Sequence, residues 1–414
     1  MASQFEQRME EAVRNGEIPG AVLVAGDKEG KFRFEKAFGY RSLKDPSNPV
    51  PMELDAVMWF ASCTKLVTTI AAMQCVERGL LKLDDDVSEI LPELKGLKIL
   101  TGFEEDADGN DKPVLVDNVK PITLRHLLTH SSGLAYDFFN PVMTRYRTWQ
   151  KKPLPSLNVQ GDLKEAYLFP LLFAPGEGWE YGVGIDWAGF MVERVANMSL
   201  EDYFQQHIWA PLGVKSFSFH PWTKPELMAK MTDMSEREGN MKTSFGTPAD
   251  SNRKVVHRLK EELWNSSLED CSGGAGGHGA PFDYEKMLHS ILVDDGKLLK
   301  TATVDEMFKP QLTNSAREAL MEILKVPESN AIFGGLPLGA KVDWGLGGIM
   351  LLQDTASKKK GTIVWGGYPN LTWFIDRAGG VAGIYGSQLC PPGDEKSIEL
   401  YQQWEEEIYG HLGV

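Results

Sequence analysis

The stretch FASCTKLVTTIAAMQCVERGL, residues 60–80, sets a serine and a lysine three positions apart at the start of an apolar helical pattern. Leu66, Ile70, Met73, Val76 and Leu80 follow the helical period, and Gly79 marks the region where the pattern ends. Positions three apart on a helix share a face, so Lys65 would hold its amine near the Ser62 hydroxyl. A serine hydroxyl is a poor nucleophile until a neighbouring base takes its proton. An amine in a water-poor site can serve as that base, because desolvation disfavours its charged form. The helix start adds backbone N–H groups and a positive dipole end, both suited to a developing oxyanion. Spacing alone does not decide, since S-x-x-K recurs at residues 251–254 and 357–360. Those copies lie in the polar runs DSNRK and SKKK, whereas the apolar VMWF leads into Ser62. An N-cap serine with no chemistry fits the same place.

Two further segments bear on the choice. In WEYGVGIDWAG, residues 179–189, a glycine-lined loop carrying Tyr181 feeds a helix. Such a loop can project the phenol into a cleft, or simply pack it at a corner. In WGGYPN, residues 365–370, Gly366 and Gly367 end one apolar strand just before another begins. Paired glycines there let the backbone approach a ligand, as an oxyanion-hole donor requires, or form a bulge.

Along the chain, residues 5–15 have amphipathic helical spacing, and residues 21–26 and 32–38 read as two strands of a hairpin. Residues 85–270 read as helices (123–130, 186–197, 200–208) and long polar loops such as the proline-rich 152–155. After residue 340 come short strands (347–353, 362–365, 371–376, 381–388), then a helix over 394–411. The late strands are expected to join the early hairpin in one antiparallel sheet flanked by both terminal helices. This is an α+β fold, with residues 1–60 and 271–414 forming the sheet part and 61–270 an inserted, mainly helical part. A cleft is expected between them.

Composition narrows the function classes. A net charge of −15 over 414 residues argues against nucleic acid or an anionic membrane as partner. No apolar run reaches the roughly 18–20 residues a spanning helix needs, and the start, MASQFEQRMEEAVRNGEIPG, lacks a secretory pattern. A cytoplasmic protein with four reduced, scattered cysteines is expected. His126 and His130 stand four apart but lack the glutamate of a zinc helix, so no metal is expected. GAGGHG, residues 274–279, matches G-x-G-x-x-G without the buried strand a dinucleotide site needs, and reads as a glycine-rich rim of the cleft. Of the tryptophans, Trp149, Trp179, Trp264 and Trp365 could line a pocket in the cleft, while most of the aromatic content reads as core.

In this order, S-x-x-K, then Y-G-x, then W-G-G, the chain resembles the serine β-lactamase-like and penicillin-binding-protein-like fold, in its class C esterase and transesterase branch. Within that branch it looks like the fungal lovastatin acyltransferase family. IPGAV (18–22) and LRHLLTHSSGL (124–134) extend the resemblance over nearly the whole chain. It implies Ser62 as the acylated nucleophile, Lys65 and Tyr181 as proton carriers, and the N–H groups of Ser62 and Tyr368 as the oxyanion hole. Trp365, Gly366, Gly367, Gly274 and Gly276 would contact substrate, and no cofactor would be needed. The implied reaction moves an acyl group from a small ester or thioester, or from an acyl carrier protein or polyketide synthase domain, to an alcohol or water in secondary metabolism. β-Lactamases and D-Ala-D-Ala-type peptidases are one alternative, and two departures weaken it. Val183 stands where their tyrosine motif has asparagine, and Trp365 where their third motif has lysine. A non-catalytic binding protein of this fold is a second alternative.

Overall fold

The computed structural model describes residues 2–152, 159, 161–238, 250–259 and 263–413. Apolar residues on strands from both ends of the chain are buried by pairing with one another. Gly20–Asp27 is buried along its whole length and runs antiparallel both to Arg33–Ser42 and to Val381–Gly386. Val22 faces Gly386 and Asp27 faces Val381 in that register. The sheet continues outward through Leu371–Asp376, Ile363–Gly367, Ile349–Leu351 and Val342–Trp344 on one side. On the other it ends in Val50–Pro51. All eight strands pair antiparallel, and all come from residues 20–51 and 342–386.

Successive residues of a strand face opposite sides of a sheet, so each face takes its own helices. The helices Gln4–Arg14 and Glu395–Leu412 cover one face: Phe34 packs between Phe5 and Trp404, and Phe374 against Trp404 and Tyr409. Trp404 fits because Gly383 beneath it has no side chain; a Cβ there would stand 2.9 Å from the indole. The helix Pro281–Val293 lies on the opposite face, where Glu285 comes close to Gly26 and Pro281 to Gly386. Beside this body stand Thr64–Glu77 and Gly184–Ala196, both rich in buried side chains.

The middle of the chain is less uniformly helical than its sequence implies. It carries a β-hairpin, Ile99–Glu105 with Asp111–Val116, whose strands are half-exposed and therefore lack a clear apolar alternation. It also sends Ser235–Arg237 to pair with Leu389–Cys390. The helix expected over 123–130 is only Leu124–Leu128, since His130 adopts a left-handed φ of 58°. That breaks the helical i, i+4 relation of His126 and His130. Of the proline-rich loop at 152–155, only Lys152 lies within the described residues. Among the described residues no helix is long and apolar enough to cross a membrane, and no cluster of three or more metal-ligating side chains occurs.

One buried ion pair joins these parts. Arg237 Nε and Nη2 each donate to Asp394 at 2.8 Å, and both side chains are buried. Asp394 is also the N-cap of the last helix, accepting from Ser397 N at 2.9 Å. Asp394→Ala leaves the guanidinium buried without its carboxylate and uncaps the helix. It is expected to destabilise the fold by about 3–5 kcal/mol in urea unfolding, more than an exposed-cap loss of about 1 kcal/mol.

Candidate active site

Ser62 sits in a short 3₁₀ turn, Ala61–Cys63, that runs directly into Thr64–Glu77. The turn is tightly held. Phe60 N donates to Gly277 O at 2.8 Å, and Gln388 brackets Trp59, donating to its carbonyl and accepting its N–H. Ala61, immediately before the serine, is left-handed with φ 45°. This conformation is uncommon for a residue with a Cβ and marks a locally enforced backbone. The strand Ile363–Gly367 presses on the turn: a Cβ on Gly367 would lie 2.3 Å from Phe60 O. Only glycine permits that approach.

Lys65, one turn on, is fully buried and has three polar neighbours. Its Nζ lies 2.7 Å from Gly274 O, 3.1 Å from Tyr136 OH and 3.4 Å from Ser62 Oγ, and 4.7 Å from the centre of the Tyr181 ring. Burial drives its pKa down to about 7, with Asp186 opposing the shift. Asp186 is itself fully buried and pushed above the usual carboxylate range by desolvation, partly offset by Lys65, Ser272 and Gly274. It accepts from Ser272 Oγ at 2.5 Å, Gly274 N at 2.8 Å and Tyr136 OH at 3.4 Å. Tyr136, raised well above the ordinary phenol range by burial, remains a neutral bridge between amine and carboxyl.

Tyr181 reaches the same serine from the loop before Gly184–Ala196, its hydroxyl 2.6 Å from Ser62 Oγ. A Cβ on Gly182 would meet Leu134 O at 2.1 Å, so the glycine lets residues 134–136 lie against this loop. Tyr136 N then donates to Tyr181 O at 3.1 Å, which places the two phenols side by side. Burial raises the Tyr181 pKa above its ordinary value. Around neutral pH, therefore, Lys65 is the group that can offer a lone pair, while Tyr181 holds its proton.

Ser62 and Tyr181 open on a cleft. Ser62, Tyr181, Trp365, Gly366, Gly367 and Tyr368 line it, as the sequence order implies. Tyr136, Phe138, Phe139 and Phe333 complete an aromatic wall that the sequence reading did not single out. Gly274 and Gly276 do not line the cavity; Ala275 between them does. Gly274 stands behind the site, where it holds Lys65 and Asp186, and a Cβ there would lie 2.2 Å from Asp186 Oδ2. Gly276 packs on Trp264 and Phe219. Trp264 packs at a tilt against Trp59, Trp179 lies behind Tyr181, and Trp149 is exposed. His126 accepts from Thr123 N at its helix start, and His130 packs 4.7 Å from the Tyr181 ring. Cys63 beside the serine is buried, and burial pushes its thiol far up, away from thiolate chemistry.

The chain is similar to known proteins over nearly its whole length. The Beta-lactamase family model matches residues 5–405. The chain is 38% identical to a lovastatin esterase of Penicillium rubens, covering 96% of each protein. It is 35% identical to a monacolin J acid methylbutanoyltransferase of Aspergillus terreus, covering 98% of this chain and 95% of that one. The LovD6 mutant of simvastatin synthase from Aspergillus terreus superimposes with a TM-score of 0.88 at 35% identity, covering 99% of this chain and 94% of that one. With the family matched from end to end and relatives of this identity named for acyl transfer and ester cleavage, the chain belongs to the beta-lactamase family as a serine acyltransferase or esterase.

Proposed function

We propose that Ser62 is the nucleophile of a two-step acyl transfer, with Lys65 as its base and Tyr181 as the proton donor to the leaving group. The observation that carries this is the convergence on one hydroxyl of an amine at 3.4 Å and a phenol at 2.6 Å. In the first step Ser62 Oγ bonds to the acyl carbon and its proton passes to the neutral Lys65 amine. The bond to the leaving oxygen or sulfur breaks, and that atom takes a proton delivered through Tyr181, which Lys65 replenishes. In the second step an alcohol or water attacks the acyl carbon, its proton enters the same relay, and Ser62 Oγ leaves as the restored hydroxyl.

The N–H groups of Ser62 and Tyr368 are the oxyanion donors in this reading. Ser62 opens the helical turn, and Tyr368 follows the glycine that packs on Phe60. One such donor is worth about 3–4 kcal/mol in the transition state.

The substrate class follows from the wall of the cavity and from the relatives. An aromatic lining with Trp365 beside the glycine pair offers no lysine to hold a β-lactam carboxylate, and it suits the ester of an apolar alcohol. The relatives named as a lovastatin esterase and a monacolin J acid methylbutanoyltransferase support a small-molecule ester of secondary metabolism as substrate. The acyl donor is a small ester or thioester, or the same acyl group carried on a carrier protein.

Incubation with p-nitrophenyl butanoate is expected to add one butanoyl group, read by intact mass, in wild type and none in Ser62→Ala. An adduct that survives Ser62→Ala contradicts the assignment. The pH dependence of acylation carries a sign. The active form is the neutral amine, so the rate should rise through about pH 7 and level off above it, with no gain from acid. Lys65→Arg, which stays charged throughout, should abolish the adduct across that range. A rate that falls between pH 6 and 8 would remove Lys65 as base.

A further inference from the structure

Two phenylalanines that no catalytic role uses meet directly above Tyr181. Phe139 comes from the loop before the helix Pro141–Trp149, and Phe333 follows the helix Pro327–Ile332. Their ring centres are 6.0 Å apart, and each lies 5.5 Å from the Tyr181 ring. Phe333 also stacks on Trp365 at 5.4 Å with the planes 17° apart. Two segments nearly 200 positions apart in sequence thus close over the group that handles the proton. Immediately after Phe333, Gly334 and Gly335 have φ of 113° and 61°, so the chain turns there through conformations that glycine supplies.

We propose that Phe139 and Phe333 form an aromatic roof that decides how the acyl group on Ser62 is shared between water and an apolar alcohol. The inference rests on Ser62 being the acylated residue. Either acceptor must bring an O–H within reach of the acyl carbon and of Tyr181. Its oxygen bonds to that carbon, the bond to Ser62 Oγ breaks, and its proton passes through Tyr181 and Lys65 to Ser62 Oγ. Ser62 and Tyr181 line the same cavity as both rings, so an acceptor in that position lies against Phe139 and Phe333. A cyclic or branched alcohol gains apolar contact there, because its hydrocarbon surface covers the rings. A water molecule gains none. The roof therefore favours such an alcohol over water, and the chain acts as a transferase towards alcohols bulky enough to cover the rings.

The test uses the whole protein with p-nitrophenyl butanoate as donor and cyclohexanol as acceptor, measuring butanoate against cyclohexyl butanoate. Both products leave the same acyl-enzyme, so their ratio does not depend on how fast the acyl-enzyme forms. Phe139→Ala and Phe333→Ala should each raise the ratio of acid to ester about fivefold, the scale of one lost ring contact. Phe139→Leu and Phe333→Leu, which keep apolar bulk, should raise it less, and they decide the matter if the alanine variants do not fold. An adduct that forms while the ratio stays within about twofold of wild type in all folded variants overturns the roof alone. Wild type yielding only butanoate does the same. Wild type forming no adduct at all overturns the Ser62 assignment and, with it, this one.

Discussion

An amine stripped of water governs this structure. Burying Lys65 disfavours its charge, and that cost is tolerated only because every nearby group is arranged around it. The carbonyl of Gly274 accepts one N–H, Tyr136 takes another, and Asp186 supplies compensating charge through Tyr136 rather than by direct contact. Had the carboxylate touched the amine, the ion pair would have held the proton in place and removed the base. The indirect contact leaves Lys65 close to the point where losing and keeping the proton cost the same. The close approaches at Gly274 and Gly182 follow from that requirement, since a Cβ at either position would push the partners apart.

The sheet provides the other half of the geometry. Ser62 and Lys65 ride on a 3₁₀ turn and the helix it runs into, whereas Trp365, Gly366 and Gly367 come from a strand that the sheet holds in register with Leu371–Asp376. The contact of Gly367 with Phe60 fixes these two bodies at backbone distance, so the cavity between them has a defined width. Aromatic residues line much of it. The proposed catalytic groups would serve a hydrolase or a transferase equally well, and on the proposal made above the aromatic roof is what favours one acceptor over the other.

Much of this was legible in the sequence because its signals are local. The period of residues 66–80 gave the helix, the alternation and turns after residue 340 gave the late strands, and the ordered motifs pointed to Ser62, Lys65 and Tyr181 before any distance was known. Three things were hidden for physical reasons. The hairpin at 99–116 is half-exposed, so burial leaves no alternating pattern to read. Tyr136 and Asp186 act on Lys65 from positions about 70 and 120 residues away, and nothing in their own neighbourhoods marks them as partners of an amine. Gly274 was read as a ligand contact because a glycine that approaches a substrate and one that approaches a buried carboxylate look alike in sequence.

The pairing of Gly20–Asp27 with Val381–Gly386 has a consequence for biosynthesis. The first strand leaves the ribosome long before its central partner exists, and pairings so distant in sequence form slowly. The helix that carries Lys65 is likewise made before the strand that walls its cavity. A nascent chain therefore holds Ser62 and Lys65 before the other side of their cavity exists. Any chemistry that needs both sides has to wait for residues 363–386.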